Sequence, residues 1–344
     1  MASPRAPLTK TTHTIAVHSI PIECDVYDAA DYPSSTPVFL FFHSGGLVAG
    51  ARNMIPPWLV QTCFHRKWPL VSPSYRLLPQ VSGDALLSDV HAAYSFAQSL
   101  PTSSNPPSSN PDPRPVIAAG ASAGFFLAAL AAYHLTPAPL ALLSITGIPT
   151  FRHPFFNSSV LIPSEPITED DVAHYISEPV AVGRSVFDTS GVFDIRCLLP
   201  SGTRNPSFQA DKKLPEGFTD DPNRGLLYDY FLYENLFLDF VGGVDPGFDW
   251  ARGATDAEKA KLRDWPVTIL IQGDDDMDLS PELGVSVAER LGEKGVYFEA
   301  KGQGHLFEKG SFLEDLGEDR GTPLGAVLKA IDALDQVVAD RGKS

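Results

Sequence analysis

The 344-residue sequence predicts an α/β fold, a mostly parallel sheet with helices on both faces and a long insertion late in the chain. Three observations carry that expectation. Short runs such as Val38-Phe39-Leu40-Phe41-Phe42 and Val116-Ile117-Ala118-Ala119 are apolar throughout, the mark of strands covered on both faces. Helix-length segments follow them in alternation, as parallel strands joined by crossovers require. At 115–126 a buried strand and a buried helix are separated by only two residues, which forces a very sharp turn.

The elements follow in order. Alternating runs at 12–18 and 20–27 read as an antiparallel strand pair, left by a Pro/Ser turn at 33–36. The strand at 38–43 runs into His43-Ser44-Gly45-Gly46. A strand at 69–75 precedes an amphipathic helix at 82–100, with Leu86, Leu87, Val90, Tyr94 and Ala97 on one side. The Pro/Ser/Asn stretch at 101–115 has little to bury and reads as an exposed loop. A helix at 123–135 and a strand at 140–148 complete the first part of the core, 1–149. The rhythm then stops, and 150–264 reads as an inserted cap with a helix at 169–176 and a long aromatic helix at 225–240. The second part of the core, 265–344, holds a strand at 267–271, a helix at 281–291, a last strand at 296–300 and a closing helix at 324–338.

Composition narrows the function classes. A hydrophobic content of 43% is enough for a large core, and the net charge of -16 opposes binding to nucleic acid or anionic lipid. Cys24, Cys63 and Cys197 are too few and too far apart for a disulfide framework or a zinc site. No stretch is apolar for long enough to cross a bilayer and the first ten residues lack a signal-like apolar region, so membrane insertion is not expected and a cytoplasmic location is.

The chemistry gathers at strand ends. Gly120-Ala121-Ser122-Ala123-Gly124 fits a nucleophile elbow, because small neighbours let strand and helix close around a serine raised at the helix N-terminus. Gly45 and Gly46, with the Ala123 amide, are the candidate oxyanion hole. A serine hydroxyl is a weak nucleophile until a neutral imidazole takes its proton, and a buried carboxylate must hold that imidazole in one tautomer. His305, in a glycine loop after the last strand, is the candidate base. Of the acids in Gly273-Asp274-Asp275-Asp276-Met277-Asp278, Asp276 is the assigned partner and Asp278 the second choice, with Asp274 and Asp275 turned to water. No histidine lies near this acid run, so no metal site is expected. Phe125, Tyr230 and Phe231 are candidate pocket residues, drawn from the elbow helix and the aromatic helix.

On these residues the chain resembles the hormone-sensitive-lipase-like branch of the α/β-hydrolase fold. His43 to Gly46 looks like that family's His-Gly-Gly-Gly, Tyr75 to Gln80 like its Tyr-Arg-Leu-Ala-Pro-Glu, Gly120 to Gly124 like its Gly-Asp-Ser-Ala-Gly, and Gly273 to Asp276 like its Gly-x-x-Asp. The departures are Ser44 for glycine, Ala121 for aspartate, Gln80 for glutamate and Phe125 for the glycine after the elbow, the last adding bulk beside the nucleophile. The resemblance implies hydrolysis of small to medium neutral carboxylic esters through an acyl-serine, without a cofactor, on a small-molecule ester partner. A secondary-metabolite ester or lactone falls in that range. Acyl transfer by the same triad and a non-catalytic ligand-binding protein on the same fold are the alternative expectations.

Overall fold

The computed structural model describes residues 6–100, 113–185, 191–210 and 221–342; the loop expected at 101–115 lies largely outside them. The strands are β1 (Thr9–Val17), β2 (Pro21–Asp28), β3 (Val38–Phe42), β4 (Leu70–Pro73), β5 (Val116–Ala121), β6 (Ala141–Ile145), β7 (Val267–Gly273) and β8 (Gly295–Ala300). They form a single eight-stranded sheet in the order β1-β2-β4-β3-β5-β6-β7-β8. β1 and β2 are antiparallel to their neighbours, and every pair from β4 to β8 is parallel.

Side chains alternate across a strand, and here the alternation splits the core in two. Val38, Leu40 and Phe42 of β3 join Val116, Ala118 and Leu142 beneath helices α2 (Gly83–Ser99), α3 (Gly124–His134) and α8 (Glu282–Leu291). Phe39 and Phe41 join Ile117, Ala119, Leu143 and Ile269 on the opposite face, against α1 (Pro57–Arg66) and α10 (Gly325–Arg341). Two buried faces explain why these strands read as unbroken apolar runs rather than alternating ones.

Between β6 and β7 lie α4 (Glu169–Ser177), α5 (Leu226–Tyr233), α6 (Phe237–Val241) and α7 (Asp256–Asp264), and α9 (Leu313–Leu316) follows β8. The single aromatic helix expected at 225–240 is two. Asn235, at φ +59°, breaks it, and its side chain is taken by Ser159, donating to the Oγ at 2.8 Å and accepting from the N-H at 2.9 Å. α1 was not expected; Gln61 and Thr62 are buried along with its apolar residues, so no polar face marks it as a helix. Among the described residues no helix is long and apolar enough to cross a membrane.

Candidate active site

The elbow forms as its small residues demand. Ser122 sits at φ +51° between β5 and α3, a conformation costly for a residue with a side chain. Three backbone bonds hold it there: Ser122 N-H donates to Ile145 O at 3.0 Å, and Ser122 O accepts from Phe125 N-H at 3.1 Å and Ile148 N-H at 2.9 Å. The close approach has no room for larger neighbours. A Cβ on Gly124 would enter the Phe42 and His43 carbonyls, and one on Gly120 would enter the Gly124 backbone.

Asp276 turns inward three residues past the end of β7, its side chain fully buried, while Asp274 and Asp275 are exposed. Its Oδ1 accepts from the N-H groups of Asp278 (3.0 Å) and Leu279 (2.9 Å), and its Oδ2 from Gln272 Nε2 (2.7 Å). Oδ2 also meets His305 Nδ1 at 2.8 Å, and His305 Nε2 lies 3.0 Å from Ser122 Oγ. A carboxylate only accepts, so Nδ1 carries the imidazole proton and Nε2 is left bare to accept from the serine. The acid and histidine loops are stitched together: Asp275 N-H donates to Gln303 O at 3.0 Å, and Gly302 N-H to Asp274 Oδ1 at 2.5 Å. Ser122, Asp276 and His305, from three strand ends, thus form one hydrogen-bonded line.

The turn after β3 is equally constrained. Gly45 and Gly46 have φ of 121° and 65°, and Gly45 O accepts from the N-H groups of Val48 (3.0 Å) and Ala49 (2.8 Å). Among the described residues the Gly45, Gly46 and Ala123 N-H groups have no internal partner. His43, buried behind this turn, donates from Nδ1 to Ser44 O at 2.8 Å and stacks on Tyr75 at 4.2 Å, whose hydroxyl donates to His43 O at 3.0 Å. Burial pushes the His43 pKa down to about 4, so it stays neutral and acts as a brace.

A cavity of about 350 Å³ opens over Ser122 and His305 and is lined also by Gly45, Gly46, Met54 and Ile55, with Ile162, Tyr228 and Asp229 from the segment between β6 and β7. The three pocket residues expected from sequence are not among its lining. Phe125 is fully buried in the core beneath the elbow and adds no bulk to the cavity, and Phe231 is buried against Phe237 and Phe240. Successive helical residues turn by about 100°, so Tyr230 stands on the side of the helix opposite Tyr228, while Phe231, nearer Tyr228's side, is taken up by the core. Tyr230 packs on Phe231 instead.

Two carboxyls that sequence reasoning missed, Asp229 and Glu308, line the same space, together with Asp278, the second choice for the acid. Burial, then the nearby Asp278, pushes Asp229 up to about 6. Burial pushes Glu308 up to about 7; His305 and Trp58 pull it down in part, yet neither oxygen closes a hydrogen bond among the described residues. Only the position of Glu308 three residues after His305 was a signal in the sequence. Among the described residues no group of three or more metal-ligating side chains is assembled. A nucleophile paired to a base, an oriented acid and free amide donors around one cavity can carry out acyl transfer.

Residues 39–159 match the family described as alpha/beta hydrolase fold. Over 95 residues the chain is 35% identical to a protein named probable carboxylesterase M8 from a Phoma strain, a stretch covering 26% of this chain and only 30% of that protein. An alpha/beta hydrolase superfamily protein from Enterococcus faecalis superposes with a TM-score of 0.59 at 16% identity, over 96% of this chain and 99% of its own. Carboxyl esterase 2 of the mycorrhizal fungus Tuber melanosporum gives 0.50 at 16% identity, over 95% and 87%. These likenesses in structure concern the fold.

Proposed function

We propose, from the match of residues 39–159 to the alpha/beta hydrolase fold family, that this chain is a serine hydrolase of small to medium carboxylic esters. The observation that carries the reading is the unbroken line from Asp276 through His305 to Ser122, with the Gly45 and Gly46 amides on the same cavity. Ser122 Oγ attacks the ester carbonyl carbon as His305 Nε2 takes its proton. Negative charge grows on the carbonyl oxygen, where the N-H groups of Gly45, Gly46 and Ala123 stabilise it. The C–O bond then breaks, His305 returns the proton to the departing alcohol, and the acyl group is left on Ser122. Water, activated by the same histidine, releases the acid. Asp276 keeps the imidazole in the required tautomer throughout.

Residues 150–264 act as the cap, a role supported by Ile162, Tyr228 and Asp229 walling the cavity. The volume suits a modest acyl or alcohol group, a range that includes a secondary-metabolite ester or lactone. The non-catalytic ligand-binding alternative has no use for an intact relay. Acyl transfer would follow the same steps, with an alcohol or amine replacing water in the last.

An organophosphonate tests this without knowledge of the natural substrate, since it reacts only with a serine that has both a base and an oxyanion hole. Mass spectrometry should find the adduct on Ser122 and not on Ser44. Ser122→Ala and His305→Ala should each lower p-nitrophenyl ester hydrolysis by about a million-fold while leaving the fold intact. An adduct scattered over surface serines, or either variant within about tenfold of wild type, would sink the mechanism.

A further inference from the structure

We propose that Arg224 and Gln80 are positioning residues, forming a clasp that fixes the oxyanion turn by tying the segment before α5 to it. The inference rests on the acyl-transfer reading of Ser122. Arg224 is 3% exposed. Its guanidinium donates from Nε to Val48 O at 2.8 Å, and from Nη2 to Leu78 O at 2.9 Å and Gln80 Oε1 at 2.7 Å. Val48 is one of the two residues whose N-H groups close the turn on Gly45, and Leu78 N-H donates to Leu47 O at 2.8 Å. The turn that presents the Gly45 and Gly46 amides is therefore held from behind at Leu47 and Val48. From the front it is held by the same segment as Arg224. Tyr228, one helical turn on, lies so near Gly46 that an added Cβ there would come within 2.6 Å of its ring.

Gln80 gives the second half of the clasp and accounts for a departure in the sequence. Its Oε1 accepts from Arg224 while its Nε2 donates to Tyr175 O at 2.5 Å and Glu178 O at 3.3 Å, at the end of α4. An amide is the side chain that accepts from a guanidinium and donates to carbonyls at once. A glutamate there, as in the resembling family, has no donor and would turn one carboxylate oxygen, an acceptor, toward both carbonyls. Tyr175 adds its ring face, 5.6 Å from the Arg224 guanidinium, and its hydroxyl donates to Asp221 at 2.5 Å. Gln80 thus joins α4, Arg224 and the oxyanion turn in one network, and its chemistry fits this cap rather than a generic one.

The test compares full-length wild type with Arg224→Met, Gln80→Glu and the double variant, using p-nitrophenyl butyrate kinetics, phosphonate labelling rates and thermal unfolding. Amides that drift from the oxyanion weaken the transition state alone. Arg224→Met should therefore lower kcat by about ten- to a hundredfold with KM within about threefold, and slow labelling in parallel. Gln80→Glu should lose less, and the double variant should be no worse than Arg224→Met, because both act through one network. A folded Arg224→Met with kcat within about threefold of wild type, or a loss matched by the fraction unfolded, overturns the clasp. If that variant does not fold, Gln80→Glu decides on the same terms, with unchanged kcat overturning it. A wild type inert to both ester and phosphonate would sink the esterase reading itself and this inference with it.

Discussion

The role proposed for Asp276 rests on four hydrogen-bond donors to one buried carboxylate, and the imidazole is only one of them. Changing it to asparagine puts an N-H where His305 Nδ1-H must donate and forces the wrong tautomer, so Asp276→Asn should cost about ten-thousandfold in kcat. Asp278 supports the site through its backbone N-H, which substitution keeps, so Asp278→Asn should stay within about tenfold of wild type. The reverse ranking in p-nitrophenyl ester assays would move the acid to Asp278. Glu308 carries a different signature. Its carboxyl holds a proton more tightly folded than unfolded, with a pKa near 7 against 4.5, so between those values the folded state carries the extra proton and stability falls as pH rises. Glu308→Gln removes that loss and should be more stable than wild type at pH 8, by up to about 3 kcal/mol, with little difference near pH 4.5. Equal gains at both pH values, measured by urea unfolding, would mean that the proton on Glu308 is not the cause.

At the scale of elements, the site exists because β5 and α3 approach β3 more closely than side chains permit. Gly124→Ala should destabilise the chain by about 1–3 kcal/mol or more, since its methyl would meet backbone carbonyls of Phe42 and His43 rather than a yielding side chain. Unchanged thermal stability of that variant would show that the approach is looser than the distances say. Such small-residue demands are written locally, and so the elbow, the parallel strands and the two other strand-end residues were legible in the sequence. The resemblance to hormone-sensitive-lipase-like hydrolases, carried by the same motifs, stands with the family match over 39–159. What escaped depends on distant partners. The break at Asn235 is set by Ser159, and α1 hides its period because Gln61 is buried through bonds to Gly202 O and Leu313 N-H. Which face of α5 meets the cavity follows from the packing of Phe231 on Phe237 and Phe240, and no count of aromatics in that helix distinguishes Tyr228 from Tyr230.

Over the whole molecule, the proposed ester hydrolysis at Ser122 would be filtered by charge. The net charge is -16, and the cavity adds Asp229 and Asp278, neither of which is in an ion pair among the described residues. Lys309 is on the same lining, as is His305, but the carboxyls outnumber them once ionised. An ester bearing its own carboxylate is therefore repelled twice, by the long-range field during approach and by Asp229 and Asp278 once inside. p-Nitrophenyl hemisuccinate should show a kcat/KM about tenfold or more below that of its uncharged methyl ester at low salt. Salt should narrow the gap, since charges beyond about 10 Å are screened at 0.1 M while those within the cavity are not. Asp229, held near 6, gains its charge as pH rises through that value, so the preference for the methyl ester should be smaller at pH 5 than at pH 7. Taking the ratio of the two substrates at each pH cancels the protonation of His305, which both share. Asp229→Asn should shrink that pH dependence and leave only the part set by Glu308, which lines the same cavity with a pKa near 7. Equal rates for the two esters at pH 8 and low salt would mean that the acyl group enters away from these carboxylates.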